Sequence, residues 1–236
     1  AIKKFIELNE IKKTIFLTSD SNYKNEIIQA ISNSRIKIIE NYIYDRDPTK
    51  LTKQIEKITN YERRKQNLED EIKRLEESNE NNIEKLIERL KKKDTLGNVN
   101  FDSLIIADFD ESLKSVTTSL LYTDILPKEK YFITLNQWFD ESLLKETNLQ
   151  PIYFPSINKE NYDNFSLEYF NKYNQYPNQL SFLSYDLIGL IYFLILQNES
   201  IINEKIFEKK ILFKGKVGIF EIKKNKINHI LNFYKV

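Results

Sequence analysis

Side chains that could bind a small molecule follow three runs of apolar residues typical of buried strands. The strands of an open parallel sheet end at one edge, and ligands of such folds bind at that edge. Hydroxyls, carboxylates, amides and aromatic rings together suit a small polar molecule, because rings supply contact area and polar groups supply direction. The sequence therefore predicts a ligand-binding site formed by Ser19, Ser21, Tyr23, Asp108, Phe109, Asn136, Gln137 and Trp138.

The polar residues that follow each of the three strands also have an ordinary structural explanation. Ser, Asp and Asn are common at the first position of a helix, where their side chains cap free backbone N–H groups. Trp138, the single tryptophan of the chain, suits packing in a core as well as contact with a ligand. The residues alone leave these alternatives open.

The same residue types do not assemble a catalytic or metal site in the sequence. Asp108, Asp110 and Glu111 lack the spacing of a calcium loop, and a single histidine, His229, excludes a multi-histidine metal site. No Gly-x-Ser-x-Gly motif positions a serine nucleophile, and no glycine-rich turn follows the first strand to hold a nucleotide. We therefore expect no catalytic residue, no metal and no cofactor, and we expect His229 to be a surface residue of a strand.

Charge and composition limit the classes of partner. The 236 residues carry 36 Lys and Arg against 35 Asp and Glu, a formal charge of +1, so nothing favours nucleic acid. The chain has no cysteine and therefore no disulfide framework. The longest apolar run, 187–196, is about half the length that crosses a bilayer, which predicts no membrane span.

Strand and helix patterns alternate along the chain. A buried strand over 14–18, helical spacing over 23–31 and a second strand over 35–44 predict a βαβ unit and hence a parallel sheet. Further strands are expected at 101–107, 131–135 and 151–154, helices at 111–122, 141–145, 162–173 and 182–196, and a terminal β-hairpin of 217–222 with 226–235. This order predicts an α/β fold.

A highly charged segment, 48–93, interrupts this order. Its apolar residues recur at three- and four-residue spacing on both sides of the polar stretch 78–82, which predicts two amphipathic helices in an antiparallel hairpin. The hairpin is interpreted as a solvated pair of helices at the rim of the sheet, as an arm that binds a partner protein, or, least in keeping with its length, as a long coiled coil.

The last third of the chain carries the most informative order of motifs. Tyr176-Pro177 precedes Tyr185-Asp186 at the start of an apolar run, and the strand signal 213–220 contains Gly215 and Gly218. We expect Asp186 to complement the positive end of a helix dipole, and each glycine to lie where a Cβ would collide. This order resembles the closing segment of the type I periplasmic solute-binding proteins, the Leu/Ile/Val-binding-protein-like family.

The resemblance extends to the ligand loops. The stretch 13–23 is similar to the first strand and loop of the family's second lobe, with Tyr23 at the position of a tyrosine that packs on the ligand. The implied fold is the parallel-sheet lobe of a type I periplasmic-binding-protein fold with a long helical-hairpin insert and a C-terminal β-hairpin. Residues 1–153 would be the second-lobe α/β domain with the insert 48–93. Residues 154–236, two helices and a β-hairpin, would be a return segment belonging partly to a first lobe that this sequence lacks.

The resemblance also implies a function. The chain would be part of a non-enzymatic periplasmic receptor, with its signal peptide outside this sequence, that closes two lobes on a small polar ligand such as an amino acid and serves a membrane transporter. A divergent subgroup with the same fold, the penicillin-binding-protein activators, contacts cell-wall synthases, and the charged insert favours that alternative. The apolar helix 185–196 would need a covering chain, or would associate through its exposed face.

Overall fold

The computed structural model describes residues 1–78, 83–139, 141–197, 210–223 and 226–236. The helices are α1 (Ile2–Leu8), α2 (Lys24–Asn33), α3 (Pro48–Ile58), α4 (Tyr61–Glu76), α5 (Ile83–Leu90), α6 (Asp110–Tyr122), α7 (Glu141–Leu144), α8 (Lys159–Tyr173) and α9 (Gln179–Gln197), with a 3₁₀ turn at Thr147–Leu149. The strands are β1 (Thr14–Ser19), β2 (Ile38–Tyr44), β3 (Ser103–Ala107), β4 (Tyr131–Thr134), β5 (Ile152–Ser156), β6 (Ile211–Lys214), β7 (Ile219–Lys223), β8 (Lys226–Ile230) and β9 (Asn232–Lys235). The predicted α/β class is confirmed.

The main sheet contains six strands in the order β2-β1-β3-β4-β5-β9. Neighbouring strands from β2 to β5 run parallel, as the βαβ pattern predicts. At the edge, Ile152 and Val236 exchange both backbone hydrogen bonds, at 2.8 and 3.0 Å, which is the antiparallel arrangement. Every residue of β1 and β3 is buried, and this is why the central strands are largely apolar from end to end.

The chain forms two compact units. The sheet unit comprises Ile6–Leu135, Ser142–Tyr153 and Lys235–Val236, and the return unit comprises Ala1–Phe5, Asn136–Glu141 and Phe154–Tyr234. In the sheet unit, the buried residues of α6 include Leu113, Val116 and Leu120, whose spacing gives the helix one inward face. The return unit contains α8, α9 and a second, antiparallel sheet in the order β6-β7-β8.

The charged segment 48–93 differs from the predicted hairpin of two helices. It forms three, α3, α4 and α5, because Asn60 adopts the left-handed conformation, with φ 51°, and separates α3 from α4. The apolar spacing continues across Asn60, so periodicity contains no sign of this break. The predicted turn at 78–82 lies mostly outside the described residues, which resume at 83.

The first two of these helices contribute to the core. Leu51 and Ile55 of α3 are 1% and 0% exposed. Arg64 of α4 is also buried, and its guanidinium donates to the hydroxyl of Thr95 at 2.6 Å and to the carbonyl of Thr123 at 3.0 Å. Among the residues of α5, all of them described, none is buried. The exposed character expected of the whole segment therefore belongs to α5.

The structure differs from the predicted terminal hairpin in the second of its two strands. β7 and β8 pair in antiparallel register, and β6 adds a third strand on the other side of β7. The expected strand 226–235 is divided, because β8 ends at Ile230 and the chain continues as β9 in the main sheet. Side chains alternate in the same way in both strands, so the pattern contains no boundary. The turn at Lys224-Asn225 lies outside the described residues.

Asp186 lies within α9 and not at its N-terminus, which corrects the helix-dipole interpretation. The side chain is 2% exposed. Its carboxylate accepts the backbone N–H groups of Lys216 at 2.8 Å, Val217 at 3.1 Å and Gly218 at 2.8 Å. Asp186 therefore fixes the turn between β6 and β7 against the helix.

The glycines of this turn lie where a Cβ would collide, as predicted. A Cβ on Gly215 would collide with the Asp186 carboxylate, and one on Gly218 would collide with the imidazole of His229. His229 is half-buried, which corrects its assignment to the surface. Its ring stacks on Phe220 with centroids 4.3 Å apart, and burial lowers the pKa of the imidazole.

Helix α9 is longer than its apolar run indicates. Its 19 residues are long and apolar enough, by length and composition, to cross a membrane, which corrects the expectation drawn from 187–196. Only 22% of its most apolar stretch is buried, and within that helix Asp186 accepts backbone N–H groups of the β6–β7 turn. An exposed apolar face is present as expected, since Leu180, Ile188 and Leu196 are 70, 67 and 65% exposed.

Candidate functional site

The strand order places a topological switch point between β1 and β3. From β1 the chain crosses through α2 to β2 on one side, and from β3 it crosses through α6 to β4 on the other. The loops that leave these two strands therefore flank one crevice at the carboxyl edge of the sheet, where open α/β folds bind ligands. Thr18 and Ala107 are register partners at that edge, so both loops leave the sheet at the same level. The predicted residues Ser19, Ser21, Tyr23, Asp108 and Phe109 lie at the ends of these two strands or in the loops that follow them.

A buried polar network lies beneath these loops. Tyr44, at the end of β2, donates its hydroxyl hydrogen to Oδ2 of Asp108 at 2.5 Å, across the end of the intervening β1. Oδ1 of Asp108 also accepts the backbone N–H of Phe109 at 3.2 Å. Tyr44 and Asp108 are 1% and 5% exposed. Asp108 therefore acts first as an acceptor inside the protein, and it supports the loop that carries the exposed Phe109.

The environment of Tyr44 keeps it a neutral donor. Burial raises the pKa of its hydroxyl far above the usual range, and the adjacent charge of Asp108 raises it further. The hydroxyl therefore keeps its proton at any physiological pH. The Tyr44–Asp108 pair is consequently a fixed element of the crevice floor.

Arg46 is a residue at this edge that the sequence prediction missed. Its Nη2 donates to the hydroxyl oxygen of Ser19 at 3.2 Å, and Ser19 is 2% exposed while the arginine side chain is exposed. Tyr44 is the last residue of the second strand, and Asp45 and Arg46 follow it directly. The rule that selected the other loops, polar residues at the carboxyl end of a parallel strand, would have found Tyr44 and Arg46 had it been applied to β2.

Two aromatic rings stand at the edge of the crevice. Tyr23 is 71% exposed and Phe109 is 40% exposed. They occupy the N-cap positions of α2 and α6, and neither helix has a side-chain cap there. Helix capping, the ordinary explanation for Ser19, Ser21 and Asp108, is therefore wrong for these loops. Ser21 is half-buried, and its carbonyl accepts the N–H of Lys24 at 3.2 Å.

The third predicted loop, Asn136 to Trp138, belongs to the return unit. Oδ1 of Asn136 accepts the backbone N–H of Trp138 at 3.0 Å, which is a local turn. Gln137 is 4% exposed. Trp138 has a positive φ of 50°, and its ring lies 5.9 Å from that of Phe182. The contacts of Trp138 agree with the packing alternative left open by the sequence.

A concave surface lies between α8 and α9 in the return unit. It is a groove of about 530 Å³ lined by the aromatic side chains of Phe165, Tyr169, Tyr173 and Tyr185, together with polar residues that include Glu168 and Lys172. Glu168 forms an ion pair with Lys216 from the β6–β7 turn. The sequence predicts the helices but not the groove between them.

The described residues contain no group of three or more His, Asp and Glu side chains that could hold a metal ion.

Comparison of the sequence with protein families finds no matching family model, and no curated protein matches it. Comparison of the fold with solved structures does find matches. A solute-binding protein of an ABC transporter from Rhodopseudomonas palustris BisB5, in complex with 3,4-dihydroxybenzoic acid, matches with 13% identity and a TM-score of 0.51. The match covers 100% of this chain and 59% of that protein.

Two further structures show the same likeness. A solute-binding protein of an ABC transporter from R. palustris, in complex with 4-hydroxybenzoate, has 11% identity and a TM-score of 0.57, with 99% of this chain and 58% of that chain covered. A branched-chain amino acid ABC transporter periplasmic ligand-binding protein from Burkholderia xenovorans LB400 has 7% identity and a TM-score of 0.51, with 97% and 60% covered. This chain thus spans less than two thirds of each. It has the fold of the type I periplasmic solute-binding proteins.

Proposed function

We propose that this chain is part of a non-enzymatic extracytoplasmic receptor that binds a small polar molecule such as an amino acid. The observation that carries the proposal is the crevice at the switch point between β1 and β3. There, Tyr23 and Phe109 expose their rings beside a network of hydroxyl, carboxylate and guanidinium groups. The fold supports the same function, because the neighbours are solute-binding proteins of ABC transporters.

The proposed mechanism is hinge closure between two lobes, and the closed form is the signal to a membrane transporter. In this mechanism the crevice of the sheet unit holds one side of the ligand. Tyr23 and Phe109 pack on its apolar surface, and Ser19 and Ser21 supply polar contacts. The proposed location is the periplasm, because the matching protein from Burkholderia xenovorans LB400 is a periplasmic ligand-binding protein.

A thermal-shift screen of the protein against amino acids, small amides, sugars and cell-wall fragments tests this proposal. A ligand that binds the native state alone stabilises it by about 2.7 kcal/mol at a hundredfold excess over its dissociation constant. We expect a hit that Tyr23→Ala weakens and that Tyr176→Ala, a change at another exposed tyrosine, leaves intact. A panel without any stabilising ligand would contradict the receptor function.

Helix α5 favours a second candidate, an interaction module of the penicillin-binding-protein-activator kind that contacts a cell-wall synthase. It has no buried residue, it presents Leu86 at 37% exposure, and half of its residues are charged: Glu84, Lys85, Glu88 and Arg89. Deleting the whole segment 48–93 is a poor test, because Leu51, Ile55 and Arg64 are buried. The better test is binding of purified cell-wall synthase to the double variant Lys85→Glu/Arg89→Glu. Equal binding by the variant and the wild type would exclude α5 as the contact.

A further inference from the structure

The groove between α8 and α9 is lined by aromatic rings that contact one another in series. The ring of Tyr169 lies 4.6 Å from that of Tyr173 and 5.9 Å from that of Phe165, measured between centroids. The ring of Phe165 in turn lies 5.1 Å from that of Tyr185 on α9. Phe165 is 4% exposed, whereas Tyr173 and Tyr185 are 54% and 51% exposed. The groove therefore combines a buried ring with two accessible rings, one from each helix.

The shape of this aromatic surface suits an extended chain. Phe165, Tyr169 and Tyr173 recur every four residues on one face of α8, so their rings extend over about 12 Å. Neighbouring ring planes are inclined at 48°, 40° and 69°, so the surface has notches rather than one flat platform. A polyproline II segment rises about 3.1 Å per residue, and about four of its residues match this length.

The acceptor groups that line the groove are engaged by the protein itself. The carboxylate of Glu168 forms an ion pair with Lys216. Oδ1 of Asn178 accepts the backbone N–H of Ser181 at 2.9 Å and the hydroxyl hydrogen of Ser181 at 3.1 Å, which caps the start of α9. A ligand that brings many donors would therefore find few free acceptors here.

Donor groups remain available in the same groove. Within the described ranges, the hydroxyls of Tyr169, Tyr173 and Tyr185 form no hydrogen bond, and Nζ of Lys172 lies 5.3 Å from the centroid of the Tyr173 ring. Such a lining matches a ligand that supplies acceptors without donors. Each proline of a chain keeps its carbonyl and lacks the N–H, and the carbonyls of a polyproline II helix form no internal hydrogen bonds.

We propose that the groove between α8 and α9 binds a proline-rich segment of a partner protein in the polyproline II conformation. The rings of Tyr173 and Tyr185 pack on proline rings, and the free donors contact the proline carbonyls. Such a segment is extended before it binds and loses little conformational entropy, and aromatic-lined grooves recognise it for that reason. A carbohydrate matches less well, because its hydroxyls donate as well as accept. The site lies within the return unit and does not depend on the proposed receptor function.

Isothermal titration of the full chain with decaproline tests the inference. We expect decaproline to bind about tenfold or more tightly than a glycine-serine decamer, which is flexible and loses more entropy on binding. Tyr173→Ala and Tyr185→Ala should each weaken decaproline binding about tenfold, because each removes an exposed aromatic contact. Tyr173→Phe keeps the ring and should weaken binding about threefold through the loss of one hydrogen bond.

The matched control is Tyr192→Ala, which removes a ring that is 63% exposed on the same helix but does not line the groove. It should leave the affinity for decaproline unchanged. Unchanged unfolding temperatures show that the groove variants are folded, and Tyr173→Phe carries the test if an alanine variant is unstable.

Three results would overturn the inference. The first is the absence of decaproline binding at millimolar concentration. The second is decaproline binding that neither Tyr173→Ala nor Tyr185→Ala weakens, which would place the peptide elsewhere on the protein. The third is binding of chitohexaose, and not of decaproline, with the same dependence on the two tyrosines, which would identify a carbohydrate site.

Discussion

Two buried aspartates, Asp108 in the sheet unit and Asp186 in the return unit, have different surroundings. Asp186 accepts three backbone N–H groups of one tight turn, and Gly215 leaves no room for a side chain beside it. Asp108 accepts a side-chain hydroxyl, and its neighbours Phe109 and Arg46 remain exposed. Three backbone bonds give Asp186 a structural role, whereas in the proposed function Asp108 supports a loop that contacts the ligand.

The largest effect should come from Asp186→Ala. Removing this carboxylate leaves the buried N–H groups of Val217 and Gly218 without their acceptor, and each such loss costs about 1–3 kcal/mol. We therefore expect a loss of about 3 kcal/mol or more in the free energy of unfolding, measured by urea denaturation. Asp163→Ala, which removes an exposed carboxylate paired with Lys159, should cost less than about 0.5 kcal/mol. Equal losses in the two variants would refute the structural role of Asp186.

A smaller effect is expected at the crevice floor. Tyr44→Phe removes one hydrogen bond to a buried carboxylate and should lower the free energy of unfolding by about 2 kcal/mol. Tyr42→Phe is the matched control on the same strand, because the hydroxyl of Tyr42 contacts Glu40 at the surface. A loss of stability in Tyr44→Phe as large as that in Asp186→Ala would contradict the different roles of the two carboxylates.

The pH dependence of stability should arise in part from the return unit. Burial lowers the pKa of His229, so below the ordinary histidine pKa of about 6.5 the unfolded chain binds the proton more readily than the folded one. The stabilising contribution is complete above that pH and is lost as the pH falls. We expect the loss of stability between pH 7 and pH 5 to be shallower in His229→Phe than in the wild type. Parallel curves would show that His229 does not contribute.

The smallest effect on stability should come from Tyr23→Ala. Its ring is 71% exposed, so the free energy of unfolding should change by less than about 0.5 kcal/mol. The same change should weaken ligand binding, which separates a functional residue from a structural one. A marked loss of stability in Tyr23→Ala would mean that the ring belongs to the core.

Much of the fold could be predicted because the central strands and the main helices have strong periodicity. Elements β1, β3 and α6 lie close to their predicted ranges, since apolar runs and three- and four-residue spacing report burial directly. The errors fall where conformation changes without a change in periodicity. Asn60 divides a helix that reads as continuous, and Leu231 separates two strands whose alternation is the same.

The candidate site shows a similar division. Ser19, Tyr23 and Asp108 could be selected from the sequence because strand ends are identifiable without knowing the strand order. The role of Asp108 could not be predicted, because its partner Tyr44 is distant in sequence and lies across another strand. The sequence-based interpretation of Asp186 as a residue at a helix N-terminus is wrong for the same reason. Its hydrogen-bond partners come from a turn beyond the end of α9.

Hydrogen exchange with and without the compound that gives the strongest thermal shift tests the central claim most directly. The account predicts that the ligand slows exchange at 19–24 and 108–113, the loops and first helical turns on either side of the switch point. Protection confined to 165–188, the groove between α8 and α9, would place the ligand elsewhere and contradict the account. Unchanged exchange throughout the chain would contradict it as well.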